Sequence, residues 1–202
     1  NYAGQWNVVT GVLKSFSLAG SVGGVVEGSF AVEALDLKQV ANNSVRTIPN
    51  YSGVVVKSEN MVLTGINFTG LGFSGLTIQS FNFQTSINHA ATFRIGTQFP
   101  ERRITDGVAT LQVVGYMEGV TNTVDSLNTY AAGNALTGTF VLTLTPSCSP
   151  EPATVITMVA PYLDSQTVGV QVGNYVEISL GFSVPLTTVA AETTLGSNVT
   201  IT

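Results

Sequence analysis

Period-two alternation of apolar and polar residues, recurring along the chain, is the feature that most constrains its fold. The fullest example is Leu76–Gly119, which begins LTIQSFNFQTSI, passes through NHAATFRIGTQFPERR and returns as GVATLQVVGYMEG. A repeat of two puts alternate side chains on opposite sides of an extended backbone, so Leu76–Ile87 and Gly107–Met117 predict two long strands. The residues between them, 88–106, predict a long loop, and loops of that length in a compact domain are usually functional or disordered. This one holds His89, the single histidine, and Arg94, Arg102 and Arg103, three of the seven basic residues. Phe93, Ile95 and Phe99 make it too apolar for a free linker. It is expected to lie against something.

The rest of the chain reads the same way. From Gln5 to Ala19, Val12, Phe16 and Leu18 alternate with Leu13, Ser15 and Ser17, with a bend or bulge expected at Gly11. Gly20, Gly23 and Gly24 suit a tight connection to a second strand, Val25–Leu37, giving a hairpin. Lys38–Ser52 is polar and reads as a loop. Val54–Val56 and Met61–Ile66 follow as short strands. Val124–Ala132 carries Val124, Leu127, Tyr130 and Ala131 on one stripe and predicts a single flanking helix, closed by Gly133-Asn134. Thr139–Thr145, Thr154–Ala160, Gln166–Val172 and Tyr175–Val184 are rich in β-branched residues and bounded by Pro or Gly. The expected class is mainly β: one domain over residues 1–202, a β-sandwich or barrel of about ten strands with one short helix.

Two segments echo one another. Leu13–Val22 lies over Ile78–Ile87 with Ser and Phe shared at the centre, and Gly28–Val32 loosely matches Ala109–Val113. The chain therefore reads as two related hairpin halves, 5–37 and 76–119, the second with a loop of some twenty residues inserted. A duplication of this kind suggests two similar sheets facing each other.

Composition narrows the function classes. Charged residues make up 9% of the chain, against roughly 25% in an ordinary soluble domain. A surface so poor in charge suits a protein that hides much of itself against copies or partners; a secreted Ser/Thr/Asn-rich β protein is the plainer alternative. The net charge of −5 argues against holding nucleic acid. No run of 18 apolar residues occurs, so no helical membrane span is expected. The chain starts at Asn1 and is expected to be processed or part of something longer. Cys148 is the single cysteine, which excludes an internal disulfide. Sequons at Asn42, Asn67 and Asn198 are what chance supplies in such a composition.

Catalytic patterns are scarce. A nucleophile needs a base, and His89 is the one candidate; Cys148 lacks a CxxC partner, and GxSxG is missing. One His and one Cys cannot make a zinc site. Twelve scattered carboxylates leave open a glycosidase-like pair or a calcium site built from loop carbonyls. Gly70–Gly75 is glycine-rich but lacks the helix and Lys of a phosphate loop. The expectation is no enzyme activity and no cofactor. Arg94, Arg102 and Arg103, interleaved with Glu101 and Asp106, fit pairing with carboxylates of a neighbouring subunit better than nucleic-acid binding.

The run SFNFQTSINHAATFRIGTQFPERRITDGVATLQVVGYMEG resembles tail tube proteins of tailed bacteriophages and related virion structural proteins, which pair a strand with a loop of the form R-x-G-x-x-x-P and a return strand ATL-x-V. The order of helix Val124–Ala132 and strand TFVLTLT is also similar; the N-terminal hairpin matches less well. The resemblance implies a virion location, subunits that close sheets into rings, and stacked rings forming a conduit through which DNA passes without specific binding. It implies a homo-oligomer that also meets other virion proteins, with the loop from Asn88 to Asp106 reaching the next ring. Phe93, Arg94, Ile95, Phe99, Arg102 and Arg103 are the expected inter-subunit contacts. Alternatives are a capsid or head-decoration β-sandwich and a secreted carbohydrate-binding or adhesive β domain.

Overall fold

The computed structural model describes residues 5–40, 61–64, 76–96, 101–118, 139–144, 154–172, 175–186 and 198–201. Ten strands lie in these segments: β1 Gln5–Ser21, β2 Glu27–Val40, β3 Met61–Thr64, β4 Leu76–Thr92, β5 Glu101–Glu118, β6 Thr139–Leu144, β7 Thr154–Val159, β8 Tyr162–Val172, β9 Tyr175–Pro185 and β10 Val199–Ile201. They form two antiparallel sheets. One has six strands in the order β2-β1-β4-β5-β9-β8, the other four in the order β10-β7-β6-β3. The mainly-β expectation holds, with no helix among the described residues. The predicted helix Val124–Ala132 and strand Val54–Val56 lie outside the described residues.

Alternation explains how the sheets meet. β9 reads YVEISLGFSVP, and every second residue, Val176, Ile178, Leu180, Phe182 and Val184, is buried. Phe81, Phe83 and Ile87 of β4 and Ala109, Leu111 and Val113 of β5 continue the same face. Phe140, Leu142 and Leu144 of β6, Ile156 and Met158 of β7, and Val199 of β10 supply the opposing side. Phe140 meets Phe182 edge-on, centroids 4.7 Å apart, so the two sheets pack face to face in a sandwich-like arrangement. Each such aliphatic or aromatic side chain contributes about 1.5–3 kcal/mol on burial. The chain crosses between sheets at Ala160-Pro161, where Ala160 takes a left-handed φ of 48°.

The smaller sheet covers only part of the larger one. Leu13, Phe16 and Leu18 of β1 reach the core partly, with Phe16 edge-on to Phe83 at 6.3 Å. Thr85, 2% exposed, ties β1 down: its hydroxyl accepts from Phe16 N–H at 3.0 Å and donates to Phe16 O at 3.3 Å. β2, at the sheet edge, has no described residue among the buried core.

Three expectations need correction. The two hairpin halves do not face each other in separate sheets; β1 pairs with β4, so both lie side by side in the six-stranded sheet. Their echo meets around a local two-fold at Leu18↔Phe83, with Ser15↔Ser86 and Ser21↔Ser80 three pairs to either side. Gly20 is not in the connection either: it is a buried strand residue opposite Phe81, and Gly23 (φ 77°) makes the turn. The third correction concerns the long loop.

Candidate assembly surface

The residues expected to form a loop from Asn88 to Asp106 are mostly strand. Pairing of β4 with β5 continues from Ile87↔Gly107 to Thr92↔Glu101, with one register shift between Asn88 and His89. Only residues 93–100 connect the strands. Backbone ladder bonds run the length of this extension, and among its described side chains Asn88, Ala90, Ala91, Thr92, Thr105 and Asp106 are exposed, which fits the lack of apolar alternation there.

Neighbouring strands leave the hairpin before its end. β9 stops opposite Val108 at Pro185, and β1 last pairs with β4 at Ser15↔Ser86. Beyond these points β4 and β5 continue as a two-stranded arm. Its base is locked by side chains: Asn88 Nδ2 donates to Asp106 Oδ1 at 2.6 Å, and Thr105 Oγ1 to Asn88 O at 3.3 Å. Leu186 N–H donates to Gly107 O at 2.8 Å, anchoring the end of β9 beside it. His89 Nε2 donates to Leu13 O at 2.8 Å and holds the β1 side.

At the tip, Phe93 is 79% exposed and Ile95 fully exposed, with Arg94 exposed between them and Gly96 (φ 89°) turning the chain. Arg102 and Arg103 stand in β5 opposite Ala91 and Ala90; their side chains, and Phe99 altogether, lie outside the described residues. The structure therefore places Phe93, Arg94 and Ile95 together on one projecting tip, with the backbone of Arg102 and Arg103 beside it.

A second apolar surface was not singled out from sequence. Val22 (60% exposed), Val25 (51%), Phe30 (74%) and Val32 (47%) lie on the β1–β2 turn and on β2. The alternation of Val26, Phe30 and Val32 reads as core-facing, and nothing local to β2 says that the covering sheet stops short of it. Among the described strands, β2 has no neighbour on its outer side, a condition in which strand edges tend to pair with other chains. One ion pair, Lys14–Glu33 at 3.4 Å, crosses this hairpin.

The sheet face turned away from the core is polar and carries exposed carboxylates at Glu27 and Glu177. It carries Ser17 and Ser29, whose hydroxyls lie 2.7 Å apart, Asn82 and Gln84 (3.3 Å), and Gln112 and Ser179 (3.5 Å). A small open hollow of about 170 Å³ sits at the arm's base, lined by Ser86, Asn88, Asp106, Gly107 and Val108. Its lining holds one carboxylate, engaged by Asn88, and no base to work with it. No group of three His, Cys, Asp or Glu able to hold a metal occurs among the described residues, and no described helix is long and apolar enough to cross a membrane.

No protein-family model matches the chain, and no curated protein matches it. The class defined by the fold is thus an all-β, sandwich-like protein with a projecting hairpin.

Proposed function

We propose that this chain is a non-enzymatic structural subunit that assembles with copies of itself, and that within that class it is a virion protein, a tail tube protomer whose stacked rings form a conduit for DNA. The observation that carries the reading is the arm: a two-stranded extension whose tip exposes Phe93 and Ile95 on a chain only 9% charged. Solvent gains nothing from such residues at the end of an ordered hairpin, whereas a neighbouring subunit gains about 1.5–3 kcal/mol for each one it covers. The outer edge of β2, which has no neighbour among the described strands, supports the same reading. The polar outer face, with carboxylates at Glu27 and Glu177, suits a wall along which a polyanion moves without being held. The specific assignment to tail tubes rests on the resemblance of Ser80–Gly119.

A second reading has its own observation. The amide and hydroxyl groups of Asn82, Gln84, Gln112 and Ser179 on one face suit hydrogen bonding to sugar hydroxyls, as in an adhesive domain. Electron microscopy of the purified full chain separates the two. Rings or tubes support the structural subunit; a monomer by light scattering that binds a glycan array supports the adhesive domain and sinks the first reading.

A further inference from the structure

The two ends of the six-stranded sheet differ. β4 runs from Ser80, opposite Ser21, to Thr92, opposite Glu101, a distance of about 40 Å at roughly 3.3 Å per residue. Beyond one end stand Phe93, Arg94 and Ile95. At the other stands the β1–β2 turn, with Val22 60% and Val25 51% exposed and Glu27 exposed just after it. That turn is a fixed knob. Val22 N–H donates to Gln79 O at 2.8 Å, Gly24 N–H to Ser21 O at 3.0 Å, and Gly23 takes the left-handed φ of 77° that closes it.

Charge distinguishes the ends as well. Three arginines against Glu101 give residues 90–103 a charge of +2, His neutral, which leaves −7 for the rest of a chain of net −5. The hairpin end is the basic part of an acidic protein, so electrostatics favours another copy as its partner. Its own β1–β2 turn is out of reach, because the continuous β4–β5 ladder holds the two ends apart.

We propose that the hairpin tip of one protomer seats on the β1–β2 turn of a second copy, with Phe93 and Ile95 against Val22 and Val25, and Arg94 facing Glu27. The contact is head-to-tail. Its two surfaces are different, so every protomer that uses one still offers the other, and association continues until a ring closes or a filament grows. This inference rests on the self-assembly reading above and adds to it the receiving surface.

Cysteine trapping in the full chain tests it. On a Cys148→Ser background, untagged Ile95→Cys is mixed with tagged Val22→Cys under mild oxidation. The expected product is the mixed disulfide, in excess over either homodimer. Arg94→Glu raises the concentration needed for assembly about tenfold or more, and adding Glu27→Arg to the same chain restores it. Assembly that continues with Ile95→Cys joined only to itself, or with Arg94→Glu unaffected, overturns the proposed contact and leaves self-assembly standing. A parent protein that stays monomeric at all concentrations overturns both.

Discussion

His89 Nε2 lies 2.8 Å from the carbonyl oxygen of Leu13, a bond spanning 76 positions of sequence. A carbonyl can only accept, so the ring donates from Nε2. The bond forms just past Ser15↔Ser86, the last backbone pair between β1 and β4, and just after the register shift between Asn88 and His89. A side chain thereby joins β1 to β4 where the ladder has ended. His89 Nδ1 is buried with no hydrogen-bond partner, so Nε2 makes the ring's described hydrogen bond. His89→Ala is expected to cost about 1–2 kcal/mol in a urea melt and to speed proteolysis within residues 88–106. An unchanged midpoint and cleavage rate would mean the bond carries no load.

Gly107 sits where β9 leaves the hairpin. A Cβ there would stand 3.0 Å from both the backbone oxygen of Ser86 and Leu186 Cδ1. The backbone oxygen is fixed by pairing and the Leu186 side chain by burial, so neither yields freely. Gly107→Ala is expected to destabilise by about 1–3 kcal/mol, measured by chemical denaturation. Equal or greater stability would show that the arm's base is looser than this packing implies.

Phe140 and Phe182 join the two sheets. Phe182→Ala should cost about 3–5 kcal/mol, since its ring is 1% exposed. A double-mutant cycle with Phe140→Ala should give a coupling of about 0.5–1.5 kcal/mol. Zero coupling would contradict the face-to-face contact of the sheets.

Legibility in the sequence followed burial. Tyr175–Val184 was predicted nearly to its observed bounds because each alternate side chain enters a core. Asn88–Thr92 and Glu101–Asp106 read as loop because backbone pairing and polar side-chain bonds at the base hold their strands together, which leaves no apolar period in the sequence. Tyr162–Ser165, the start of β8, lies outside the strand expected over Gln166–Val172; Pro161 sits one residue before the strand, where its missing N–H costs nothing. Gly20 reads as a turn residue because three glycines cluster there, yet it is a buried strand residue opposite Phe81. Of the six predicted contact residues, Phe93, Arg94 and Ile95 share the arm tip. The apolar edge of β2 was unreadable because exposure of Phe30 depends on how far a different sheet extends.

Sedimentation velocity on the full chain, beside a variant in which Asn-Gly replaces residues 91–102, tests the central claim most directly. The replacement closes the ribbon at Ala90↔Arg103 with a two-residue turn, leaving the sandwich intact by circular dichroism and thermal melting. The parent chain is expected to sediment as large assemblies and the folded variant as a monomer. A parent that sediments as a monomer, or a shortened variant that assembles as well as the parent, would contradict the account.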